Sequence, residues 1–228
     1  MNRPVLRRRE SDCTANPVER RKLFATVGIL VSQQISGVQF IFSYTTTFFA
    51  LVGLKDTFII TIVVDCIEVL GVIGSFFIVG RFGRRPLLIY TGIFMFITLL
   101  VVGCLGAVAG HGEFEAYLAD HPSLGKAIAA MICLYVFAFN LAWGPIAWVV
   151  AAEMSTGRNR QKHLSIGTTC FWISAWAVTF TLPYLFQRDK AGLGPMIGFI
   201  YAFGGFLSVA FVYFVIPETR GRTLEEIK

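Results

Sequence analysis

Six apolar runs, each long enough to cross a bilayer, govern what this chain can fold into. They cover roughly residues 23–51, 57–80, 86–109, 127–152, 163–187 and 195–216. A span takes about 20 consecutive apolar residues. Hydrocarbon offers no partner to an unpaired amide, so each run has to be a helix. The expected fold is therefore an all-α membrane protein with six transmembrane helices over residues 23–217. A basic segment, 1–22, precedes them, and a polar tail begins at 218–228. Only 15% of the residues are charged, against about 25% in soluble domains.

Charge gives the orientation. Arg3, Arg7, Arg8, Arg9, Arg20, Arg21 and Lys22 precede the first run, and Arg81, Arg84 and Arg85 follow the second. Arg158, Arg160 and Lys162 follow the fourth, and Arg220, Arg222 and Lys228 follow the sixth. Lys55, Lys126, Arg188 and Lys190 fall on the opposite side. The positive-inside rule then predicts that both termini are cytoplasmic. The net charge of +6 is this asymmetry and not a nucleic-acid footprint. The five cysteines show neither a disulfide framework nor metal spacing. "NPVE" at 16–19 reads as a helix start, with Asn16 as cap and Pro17 in the first turn. "TLEE" at 223–226 offers a second capping box.

Polar residues inside the spans carry the functional signal. "SQQISGVQF" places Gln33, Gln34 and Gln39 in the first run. On an unbroken helix Gln39 lies about 140° round from Gln34. The three amides converge only if the helix loosens near Gly37, which glycine permits. They are either glue between helices or the wall of a cavity, and amides carry donors and acceptors suited to hydroxyl groups. Asp65 and Glu68 lie about 60° apart on the second span. They read either as buried, paired acids or as cavity acids. Gly71 and Ser75 extend that side with small residues. In "FNLAWGPIAWVVAAE", 139–153, Gly144-Pro145 should kink the helix. Asn140, Trp143 and Trp148 surround the break. Trp148 suits stacking on a pyranose and gating, or plain packing. Trp172, Trp176 and Pro183 of the fifth run are less readable.

"QQISGVQFIFSY", "GRFGRRPLLIY", "GPIAWVVAAEMSTGRNR" and "PETRGRTLEEI" together resemble the C-terminal half of sugar porters of the major facilitator superfamily, with the tone of fungal hexose and α-glucoside permeases. The resemblance runs from about residue 17 to the end and implies particular roles. Gln33, Gln34, Gln39, Glu68, Asn140 and Trp148 would bind sugar. Tyr44 would close an outer gate, with Gly144 and Pro145 as the flexible joint. Arg81, Arg84, Arg85, Glu153, Arg160, Glu218, Arg220 and Arg222 would form a cytoplasmic charge network.

Four positions depart from the family pattern. Gly80 stands where an acid usually precedes the arginine motif, and Gln39 replaces asparagine. Phe171 and Ala175 replace asparagines. The family has twelve spans in two halves, so this resemblance implies a fragment that lacks the first six. A six-span chain that dimerises or pairs with a separate half is the alternative. The implied function is alternating-access sugar transport across the plasma membrane. It would be proton-coupled, with no cofactor beyond that proton. A sugar receptor, a sensor or an inactive remnant stays open. An intramembrane enzyme is disfavoured, because no nucleophile–base motif lies near the acid pair.

Overall fold

The computed structural model describes residues 17–51, 57–108, 117, 121–155, 157, 159–186 and 191–218. The caps expected at Asn16 and Thr223, and the network members Arg220 and Arg222, lie outside the described residues. Six helical stretches are long and apolar enough to cross a membrane, and no strand occurs among the described residues. This is an all-α, multi-pass membrane protein.

The first span is two helices, α1 (Pro17–Ile35) and α2 (Val38–Leu51). They are separated at Ser36-Gly37, where Gly37 has φ +97°. A side chain there would be strained, and its Cβ would lie 2.7 Å from that of Tyr201. Next come α3 (Thr57–Phe82) and α4 (Arg84–Val108). The fourth span comprises α5 (Pro122–Ala138), a π-helical segment Phe139–Trp143, and α6 (Gly144–Met154). The long α7 covers Arg160–Phe186. A 3-10 turn, Gly194–Met196, leads into α8 (Ile197–Val215).

α4 and α8 pack along each other, and α1 lies against α6, α7 and α8. The core gathers Ile29, Leu30, Phe40, Leu88, Trp143 and Val212, all almost fully buried. Trp143 is tied down as well, since its indole Nε1–H donates to Leu88 O at 3.0 Å. Burial is uneven. Of the most apolar stretch of each span, 67% is buried in the first but only 17% in α3 and 11% in α7. These two helices present large open faces.

The expected kink at Gly144-Pro145 takes a different form. Pro145 lies inside the unbroken helical stretch Ser123–Met154, where it has no N–H to give to the preceding turn and its ring crowds the carbonyl four residues back. The irregularity moves upstream, into the π segment that ends at Trp143. Single π turns often mark functional positions.

Candidate functional site

The break at Gly37 brings Gln34 and Gln39 together. Gln39 Nε2 donates to Gln34 Oε1 at 3.1 Å, across the gap between α1 and α2. Gln33, which is buried, reaches the broken fourth span. Its Nε2 donates to Trp143 O at 2.8 Å and to Gly144 O at 3.3 Å. Part of the amide chemistry therefore is glue between helices. The rest is unspent: Gln33 Oε1 is buried without a hydrogen-bond partner. No described residue accepts from the Gln34 amide nitrogen or donates to Gln39 Oε1.

Asn140 sits in the π segment, half-buried. Its Nδ2 donates to Val136 O at 3.1 Å. A Cβ added at Gly144 would lie 3.4 Å from Asn140 Oδ1, so that oxygen faces the Gly-Pro joint. On the other side, a Cβ at Gly71 of α3 would lie 2.9 Å from Asn140 Cβ. The small residue thus brings α3 onto the π segment, one turn from Glu68. Glu68 is half-buried and Asp65 is exposed. Neither makes a hydrogen bond among the described residues, and none joins Glu68 to the glutamines. An ionisable side chain on an open helix face faces water or another polar surface, because lipid would penalise it.

The aromatic residues separate. Trp148 is 38% exposed and meets Phe171 of α7 edge-on, with ring centroids 5.1 Å apart. Phe171, where the resemblance leads one to expect asparagine, therefore backs the tryptophan ring. Tyr44 stands midway along α2. It stacks on Phe186, the last residue of α7, at 3.9 Å. Sequence reasoning missed three anchors around the glutamines. Tyr135 O–H donates to Ser36 O at 2.9 Å, Ser208 Oγ–H donates to Ser32 O at 3.1 Å, and Ser36 Oγ–H donates to Gln33 O at 2.8 Å. Nothing in the local pattern of the chain announces these partners.

The opposite end carries charge. Arg84 Nη2 lies 3.0 Å from Glu153 Oε1. The Glu218 carboxylate accepts from two backbone N–H groups at the start of α4, Arg84 N at 3.2 Å and Arg85 N at 3.3 Å. A carboxylate is favoured at a helix N-terminus. Gly83, at φ +84°, opens the space, since a Cβ there would lie 2.9 Å from Glu218 Oε2. Arg85 also lies over the Tyr213 ring at 5.4 Å. Arg81 is exposed at the end of α3. Arg160 is exposed and makes no ion pair among the described residues. Glu19 does join this end, although its sequence role was only that of a helix start. It lies 3.5 Å from His163 Nε2 and 3.9 Å from Lys22, and accepts from Asn159 Nδ2 at 3.3 Å. Glu19 at the start of α1 and Glu218 after α8 thus meet the α6–α7 and α3–α4 junctions.

Residues 8–228 match the family model described as "Sugar (and other) transporter". The chain is 37% identical over 86% of its length to the major facilitator-type transporter ecdD of Aspergillus rugulosus, covering 37% of that protein. It is 33% identical to the high glucose sensor RGT2 of Saccharomyces cerevisiae, over 92% of this chain and 27% of the sensor. For a glucose transport protein of Synechocystis sp. the values are 34% identity, 88% of this chain and 42% of the relative. The chain therefore spans less than half the length of these relatives. Among solved structures, a D-xylose-proton symporter superposes with TM-score 0.72 at 25% identity, over 88% of this chain and 44% of the symporter. This chain belongs to the sugar (and other) transporter family.

Proposed function

We propose that this chain is the C-terminal six-helix half of a sugar transporter, working by alternating access on a hexose or an α-glucoside such as maltose. A proton coupled to transport, plasma-membrane residence and cytoplasmic termini belong to the same proposal. The observation that carries it is the unspent amide chemistry at the helix break. Gln34 and Gln39 pair across it, Gln33 reaches from beside it to the fourth span, and donors and acceptors stay unmatched next to the joint that Asn140 faces. Sugar hydroxyls need that mixture. Irregular backbone at membrane depth is tolerated where it lines a cavity. Glu68, Asn140 and Trp148 would complete the wall, and Tyr44 over Phe186 would form its outer closure.

The opposite wall requires a partner. The open faces of α3 and α7, and exposed Asp65 within a span, support a second six-helix unit seated there, on the same polypeptide or another. The Arg84–Glu153–Glu218 cluster would then bias the balance between inward- and outward-open states, with Arg81, Arg85, Arg160, Arg220 and Arg222 around it. A non-transporting sensor is the second reading, favoured by the similarity to a glucose sensor.

The test is uptake of labelled glucose and maltose in transporter-deficient cells expressing this chain with a sugar-porter N-terminal half. Uptake, with weaker apparent affinity in Gln33→Ala and Gln34→Ala, is the expected result. Binding without uptake would favour the sensor. Unchanged affinity in both variants would overturn the assignment of the glutamines to the sugar.

A further inference from the structure

A cavity lies at the charged end, away from the glutamines. Its volume is about 640 Å³. The start of α1 lines it with Arg20, Arg21 and Lys22. Phe24 on α1 and Phe214 and Val215 at the end of α8 supply the apolar wall. Arg20 and Arg21 are exposed, and neither is ion-paired among the described residues. Lys22 is different, because Glu19 lies 3.9 Å away and offsets part of its charge. Phe24 and Phe214 are 61% and 81% exposed, too open for core residues.

We infer that this cavity seats one anionic phospholipid. Three features fit that occupant together. The cations surround the mouth, which favours a phosphate with a further negative charge. The aromatic wall begins deeper: Phe24 is four residues on from Arg20, about 6 Å along the helix axis. Headgroup and acyl chain are separated in the same sense. Rings that open to the outside at this depth meet hydrocarbon, so an acyl chain can run out along them. Residues 1–16 do not supply the missing charge, since Arg3, Arg7, Arg8 and Arg9 outnumber Glu10 and Asp12. On the orientation proposed above, the cavity opens to the cytoplasmic leaflet, where anionic lipids concentrate.

The test is native mass spectrometry of the full chain in micelles, titrated with phosphatidylserine or phosphatidylcholine. The inference expects one retained phosphatidylserine per chain, with phosphatidylcholine retained about tenfold less. Each cation near a membrane surface contributes a factor of about five. The pair Arg20→Gln/Arg21→Gln should therefore weaken retention on the order of 20-fold. Arg160→Gln/Lys162→Gln removes equal charge at the same end, outside the cavity, and should change it less than about threefold. Val215→Trp, which narrows the cavity and keeps the cations, should also weaken retention. Equal retention of the two lipids, or equal loss in both charge pairs, would reduce the effect to general attraction and overturn the inference. Retention that appears only after residues 219–228 are removed would make the tail the occupant and overturn it too.

Discussion

Gln33 should matter more to the stability of the fold than Gln34, although the two are neighbours of the same type. Gln33 is buried and donates twice, to Trp143 O at 2.8 Å and Gly144 O at 3.3 Å. A side-chain hydrogen bond between membrane helices is worth about 0.6 kcal/mol on average and about 1.7 kcal/mol at most. Truncation to alanine also empties the volume of an amide in a packed interior, which adds about 1 kcal/mol. Gln33→Ala should therefore cost about 1.5–2.5 kcal/mol. Gln34 has one side-chain partner, Gln39, at 3.1 Å. Gln34 is as buried as Gln33, so Gln34→Ala carries the same volume term with a single bond to its own span, and should cost about 1–1.5 kcal/mol. Gln33→Leu refills the volume without the donors, which isolates the hydrogen-bond part. The assay is thermal unfolding of the chain in detergent micelles, followed by the fluorescence of its four tryptophans. Trp143, which the bond touches, is one of these reporters. If Gln33→Ala is no less stable than Gln34→Ala, the bond to the fourth span does not hold the two breaks together, and the reasoning fails.

Two further outcomes follow from the same structure. Gly37→Ala should destabilise the chain by about 2–4 kcal/mol, from positive φ and overpacking against Tyr201; a loss under about 0.5 kcal/mol in the same melt would show that the break can relax. In the assembled transporter, a double-mutant cycle of Arg84→Ala and Glu153→Ala should give a coupling of about 0.5–1 kcal/mol, and Arg84→Ala should move the inward–outward balance more than sugar affinity. Accessibility labelling that finds no shift in that balance would count against the network.

The parts that were legible in the chain are those set by solvent. Hydrocarbon forces a helix on every long apolar run, so the six spans could be read directly. A glycine between misaligned amides pointed to a break, because only a break lets Gln39 meet Gln34. Distant partners were not legible. Gln33 and Trp143 are 110 residues apart, and nothing local selects a carbonyl as the partner of that amide. The Gly-Pro pair suggested a kink at its own position. The irregularity is a π segment in the turn before it, where the ladder accommodates a residue without an N–H. Glu19 read as part of a helix start, and its contact with His163 depends on how α7 packs against α1. Arg160 has the right charge for the network, is exposed, and makes no ion pair among the described residues.

The two broken spans are joined in a way that defines what can move. Ser36 O, at the break of the first span, accepts from Tyr135 before the π segment, and Gln33 reaches the carbonyls after it. Trp143 is in turn bonded to α4. α1 is thus held on both sides of the π segment, and these bonds all lie on the α1 side of Gly37. α2 is held less tightly by polar contacts. Among the described residues, Gln39–Gln34 is the one side-chain hydrogen bond that crosses the hinge. Swinging α2, with Tyr44 and its stack on Phe186, requires that bond and backbone contacts at Gly37 to change, but not the buried bonds of Gln33 or Trp143. A polyhydroxylated ligand that takes over the Gln34–Gln39 pair would bond both sides of the hinge at once. Its affinity would then differ between positions of α2, and that difference is the only means by which a ligand shifts a conformational equilibrium. On this reading, the glutamines that bind the ligand also set the position of the gate.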